Sequence, residues 1–97
     1  MTNLVDSNQP LREESLLDFP CRFEIKAMGR QCAEFEGQIS TIVNRHLSGA
    51  PILGTRSLCS RQGRYVSVTC VIHAVSREQL DAIYLDLNSE PKVLMTL

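Results

Sequence analysis

The stretch Arg61 to Val75, RQGRYVSVTCVIHAV, constrains this chain more than any other. From Tyr65 onward it alternates with a period of two. Val66, Val68, Cys70, Ile72 and Ala74 fall on one face, and Tyr65, Ser67, Thr69, Val71 and His73 on the other. That is the pattern of a strand with one apolar and one wetter face. The run is long and β-branched, which predicts a central strand, and Gln62-Gly63 before it predicts a hairpin turn with glycine at positive φ.

The other elements arrange themselves around that strand. Residues 22–28, RFEIKAM, alternate as well: Phe23, Ile25 and Ala27 face one way, Arg22, Glu24, Lys26 and Met28 the other. Gly29 is expected to end this first strand where the backbone turns sharply. Residues 31–48 follow helical spacing through Phe35, Ile39, Ile42, Val43 and His46, with Gly49 as the stop and Pro51 beyond it. Gly37 inside that helix is either a close-packing position or a surface accident. Residues 52–60 read as an edge strand, since Gly54 and the polar residues suit one. Residues 77–88 form the clearest helix. Ser76 is its N-cap, Gln79 completes a capping box, Val75 and Leu80 are spaced for a hydrophobic staple, and Leu80, Ile83, Tyr84 and Leu87 make the buried stripe. Residues 92–97 supply a last short strand.

Strand, helix, strand, strand, helix, strand predicts an α+β, ferredoxin-like β-α-β-β-α-β sandwich. Its four-stranded antiparallel sheet carries both helices on one face. Ninety-seven residues allow one such domain, assigned to residues 16–97. Residues 1–15 are polar, lack periodicity and read as a flexible tail. A short helical turn at Leu16 to Phe19, stopped by Pro20, fits the chain's entry onto the body.

Composition narrows function by exclusion. The net charge of -1 gives no overall bias toward nucleic acid or membrane. Charge is distributed unevenly, however. Residues 19–64 carry Arg22, Lys26, Arg30, Arg45, Arg56, Arg61 and Arg64 against Glu24, Glu34 and Glu36, between two acidic stretches. No apolar run approaches the ~20 residues of a membrane helix. The N-terminus lacks the charge and apolar pattern of a secretory signal, so a cytoplasmic location is expected, with Cys21, Cys32, Cys59 and Cys70 as free thiols.

Specific residues then resemble a family. Phe19-Pro20, Phe23, Lys26, Met28-Gly29, Arg45-His46, Gly63, Tyr65, Ser67, Val68, Glu78-Gln79, Tyr84, Leu87 and Met95-x-Leu97 are similar in order and spacing to the YbeD family of short bacterial proteins of unknown activity. The resemblance runs from about Leu17 to Leu97. It implies the ferredoxin-like fold, close to ACT-type regulatory domains that bind small molecules at subunit interfaces. It also implies a connection to lipoate metabolism, because some members are encoded near lipoate-attachment genes. The longer polar N-terminus departs from the family.

Candidate chemistry is sparse. His46 near a helix C-terminus suits a structural role, and His73 is expected at the surface. Asp81 and Asp86 are spaced so that they do not face one another on their helix. Neither catalytic residues, nor a metal site, nor a cofactor is therefore assigned, and the chain is read as a non-enzyme. One cysteine, Cys32, follows the first strand without a Cys-x-x-Cys partner, which argues against metal transfer. A thiol of lowered pKa near the helix start is the sharper reading of Cys32; an ordinary thiol is the plainer one.

Two binding readings remain. The first is a regulatory or interaction domain for a protein partner or small-molecule effector, and a homo-oligomer is compatible with it. Its surface is the open sheet face, with Lys26, Met28, Tyr65 and Val71, or the turn after the first strand. In ACT-like domains ligands approach that turn, and Gly29 and Arg30 occupy it here. The alternative is a single-stranded RNA-binding module using Arg56, Arg61, Arg64 and Tyr65. Set against the RNA-recognition signature, Arg61, Tyr65 and Val66 agree, whereas Gly63 and Val68 stand where stacking rings are expected.

Overall fold

The computed structural model describes residues 17–97. The proposed tail and Leu16 lie outside the described residues. Strand β1 spans Cys21–Arg30, helix α1 Phe35–Asn44, strand β2 Gly54–Cys59, strand β3 Tyr65–Ala74, helix α2 Arg77–Asn88 and strand β4 Val93–Thr96. The sheet is antiparallel in the order β2-β3-β1-β4, so β1 and β3 are central.

Alternation places the core. Ile25 and Ala27 of β1 and Val66, Val68, Cys70, Ile72 and Ala74 of β3 are buried against the helices. Phe35, Ile39, Ile42 and Val43 of α1 meet them, with Leu80, Ile83 and Leu87 of α2. Leu17 and Phe19 pack against this core from outside β1. Residues 19 and 20 form a bend, not the expected helical turn, and the Phe19–Pro20 peptide bond is cis.

Helix α2 begins and ends where its caps predict. The Ser76 hydroxyl accepts the Gln79 N–H at 3.1 Å, while the Gln79 side-chain oxygen accepts the N–H of Val75, one residue before the cap, at 2.8 Å. Val75 is 56% exposed, so the expected staple with Leu80 buries little.

Helix α1 is shorter than its periodicity suggests. No side chain caps its start at Glu34, and it stops at Asn44. Single-turn hydrogen bonds then carry the chain on, from His46 N–H to the Val43 carbonyl and from Leu47 N–H to that of Asn44. This keeps Leu47 buried beyond the helix end. The chain reverses at Ser48 (φ 53°) and Gly49 (φ 88°), four and five residues past the last helical residue. A Cβ on Gly37 would meet nothing, so close packing does not explain that glycine.

Gly29 also differs from expectation. The strand does not turn there: Gly29 pairs with Val66 and Arg30 with Tyr65, and the Gln31 N–H still donates to the Arg64 carbonyl at 3.0 Å. Glycine is required because a Cβ would lie 2.5 Å from the Lys92 carbonyl oxygen and 2.6 Å from the Phe35 ring. The register with β4 shifts at this same place, between Met28 and Gly29.

Candidate functional site

Residues paired across antiparallel strands share a face, so register fixes what the helix-free side of the sheet carries. Arg22, Glu24, Lys26, Met28 and Arg30 of β1 stand beside His73, Val71, Thr69, Ser67 and Tyr65 of β3. On the β2 side Arg56 lies opposite Thr69 and Leu58 opposite Ser67. On the β4 side Met95 lies opposite Met28. The sequence-assigned Lys26, Met28, Arg30, Arg56 and Tyr65 are thereby brought onto one surface.

The middle of that surface is closed. Arg56 on β2 and Glu24 on β1 flank the central strand, and their side chains meet across it at 3.3 Å. Beneath them Thr69 is 4% and Val71 5% exposed. Val71, expected on the open surface, is instead buried under this ion pair. Glu24 also lies 3.9 Å from Arg22. Glu24, the one carboxylate that these strand pairings place on the face among the described residues, is thus shared by two arginines.

Next to the charged row runs an apolar one. Leu58, Met28 and Met95 follow one another across the sheet, interrupted only by Ser67. Leu58 is 75% and Met95 47% exposed. Beyond this row the Arg30 guanidinium lies over the Tyr65 ring, 5.9 Å from its centroid. At this distance the cation is held by the ring quadrupole, which occupies the one aromatic platform of the face among the described residues.

The hairpin that follows is fastened by a residue that sequence reading did not single out. Ser60 accepts the Gly63 N–H through its carbonyl at 2.8 Å, and its hydroxyl accepts the N–H groups of Arg64 and Tyr65 at 3.2 and 3.1 Å. Gly63 takes the predicted positive φ, 70°. Arg61 and Arg64 project from this turn and line a shallow depression with Tyr65. Neither has an ion-pair partner among the described residues.

The turn after β1 forms a separate cleft of about 300 Å³, lined by Arg30, Cys32, Pro91, Lys92 and Leu94. Gly29 does not open it, because the backbone there is already filled by Lys92 and Phe35.

The remaining polar groups hold the helix layer together. His46 Nε2 lies 2.8 Å from Asp86 Oδ2 and Arg45 Nη1 3.1 Å from the same oxygen. The hydrogen bond to His46 is the main reason that the Asp86 carboxyl sits below its ordinary value; desolvation opposes it and Arg45 assists. The Gln79 amide donates to the His46 carbonyl at 3.0 Å, a second tie between the helices. Asp81 instead pairs with Arg77 one turn away at 3.2 Å. Burial pushes the Cys70 thiol up, and Cys70 is sealed in the core. Cys59 is exposed, Cys21 and Cys32 half-buried, and all four thiols are free. Among the described residues no three His, Cys, Asp or Glu side chains gather as metal ligands.

Fold and face together define a small α+β domain of the ferredoxin-like kind, with no helix long and apolar enough to cross a membrane among the described residues. Residues 14–97 match the family described as "Protein of unknown function (DUF493)". A UPF0250 protein of Nitrosomonas europaea is 39% identical over 90% of this chain and all of its own length. One from Chromobacterium violaceum is 40% identical over 88% of this chain and 96% of its own. The chain therefore belongs to the DUF493, or UPF0250, family, the YbeD proteins of unknown function. The solution structure of protein HP0495 from H. pylori shares the fold, with a TM-score of 0.63 at 13% identity, covering 100% of this chain and 98% of that one.

Proposed function

We propose that the chain is a non-enzymatic interaction domain that binds a protein partner through the open face of its sheet. The observation that carries this reading is the Leu58–Met28–Met95 row, an apolar line crossing the sheet and left exposed at both ends. Exposed apolar groups that lie together favour a partner in a way that scattered ones do not. Met side chains also adapt to the surface that covers them. The His46–Asp86 pair is engaged with Arg45 and Gln79 between the helices, which supports a structural role. Lipoate metabolism, the setting that the family resemblance implies, is a compatible context; no residue of the face selects it.

Leu58→Glu with Met95→Glu tests the proposal, because both side chains are exposed and the fold should survive. Affinity capture from cells is compared between the parent and this variant, with circular dichroism to confirm folding. The expected result is a defined protein held by the parent and lost by the variant. Identical capture by both, or specific turnover of a substrate by the pure parent protein, overturns the reading.

A further inference from the structure

We infer that the segment recognised by this face is an acidic amphipathic one, apolar along one side and flanked by carboxylates. The inference rests on the interaction reading above and adds the chemistry of the partner. It starts from the charge around the apolar row. On one side stand Arg22, Lys26 and Arg56, with Glu24 as the one carboxylate of the face among the described residues. Glu24 is already shared between Arg22 and Arg56. Lys26 has no ion-pair partner among the described residues, and neither has Arg30 on the other side of the row. Arg61 and Arg64 extend the same sign onto the hairpin.

An apolar line between two cationic margins selects its occupant twice. The methionines and Leu58 require apolar side chains at spacings that a helix or strand presents on one side. The margins require carboxylates, since they hold more positive charge than their own acid neutralises, and complementary charge sets both specificity and encounter rate. A second copy of the same face fails the second requirement, because it brings arginines and lysine against arginines and lysine. Single-stranded nucleic acid meets the charge requirement but not the first. Stacking needs several rings, and the face offers Tyr65, already covered by Arg30.

The test uses the full chain and three labelled probes. The first is a synthetic helical peptide with leucines along one side and glutamates beside them. The second has lysines in place of those glutamates. The third is a short uridine oligonucleotide. Binding is read by fluorescence anisotropy at low and high salt, and its location by amide chemical shifts. The expected result is that the Leu/Glu peptide alone binds, with shifts centred on Met28, Ser67 and Met95. Leu58→Glu should weaken it at least about tenfold, by placing a carboxylate where the peptide carries its own. Affinity should fall as the Debye length shrinks from about 10 Å at 0.1 M salt to about 3 Å at 1 M. Equal binding of the Leu/Lys peptide, binding of the oligonucleotide alone, shifts confined to the helices, or no binding of the Leu/Glu peptide each overturns the inference. Failure of the peptide while cellular capture still depends on Leu58 and Met95 rejects the acidic chemistry alone and leaves the interaction face standing.

Discussion

The two faces of this sheet are made by the same strands and obey different rules. Every second residue of β3 goes to each side. Under the helices those residues are Val66, Val68, Cys70, Ile72 and Ala74, all buried. On the other side they are Tyr65, Ser67, Thr69, Val71 and His73, and burial there is achieved only at the centre, by an ion pair laid across the strand. Shape and volume decide the first face; long flexible side chains decide the second. A strand can thus be fully committed to folding on one side while its other side stays partly exposed.

The sharpest separation between the faces is expected from paired truncations. Ile72→Ala removes a side chain with no exposed surface and should cost about 2–5 kcal/mol by urea denaturation, because the surrounding layer closes the cavity only in part. Leu58→Ala on the same sheet should change stability by less than about 0.5 kcal/mol. Comparable losses from the two variants would mean that the open face is a second core, covered by something in the folded protein, and the contrast would fail.

Gly29 is the place where the faces meet a glycine that sequence reading assigned to ligand access. Gly29→Ala drives a Cβ into the Lys92 carbonyl and the Phe35 ring. It should destabilise by about 1–3 kcal/mol, as overpacking does. Unchanged stability would return Gly29 to the role of a free turn position beside Arg30.

These outcomes also explain what the chain discloses before it folds. Strand and helix identities were legible because alternation and the 3.6-residue stripe are local, and α2 was legible to the residue because Ser76 and Gln79 supply its start. The end of α1 was not, because its last turn tightens gradually and Leu47 stays buried after the helix stops. The candidate surface was legible only as a shared face, since period two assigns Lys26, Met28 and Tyr65 to one side. What covers the middle of that face was not. The Arg56–Glu24 pair joins residues far apart in sequence that only the register of β2, β3 and β1 brings together. Asp86 and His46 escaped for the same reason: Asp86 is on α2 and His46 in the turn after α1, and Asp86 finds its partner across the layer and not on its own helix.

The helix layer behind the covered face carries its own pH signature. The folded Asp86 carboxyl lies below its ordinary value of 3.8, so the folded protein binds fewer protons there than the unfolded chain. Its contribution is fully present above the unfolded value and fades as pH falls through the lower folded one. Asp86→Asn should therefore be less stable than the parent near neutral pH, with the difference narrowing in acid below about pH 4. Urea melts across that range check it; a difference that stays constant with pH would mean that Asp86 acts through shape and not charge.

The smallest expected effect belongs to the open face and tests whether its closed centre counts as interior. Arg56 and Glu24 are 60% and 37% exposed along their side chains, so water and salt screen the attraction between them. A double-mutant cycle with Arg56→Ala and Glu24→Ala should give a coupling of roughly 0.2–1 kcal/mol at low ionic strength, shrinking toward zero in 1 M salt. Thr69 and Val71 lose their cover when either partner is removed, yet they remain on a strand whose other side is held by the core. Their exposure should raise local solvent access without a matching loss of global stability. A coupling well above that range, or one indifferent to salt, would show that the pair behaves as a buried element and that the open face is built for the fold before it is available for binding.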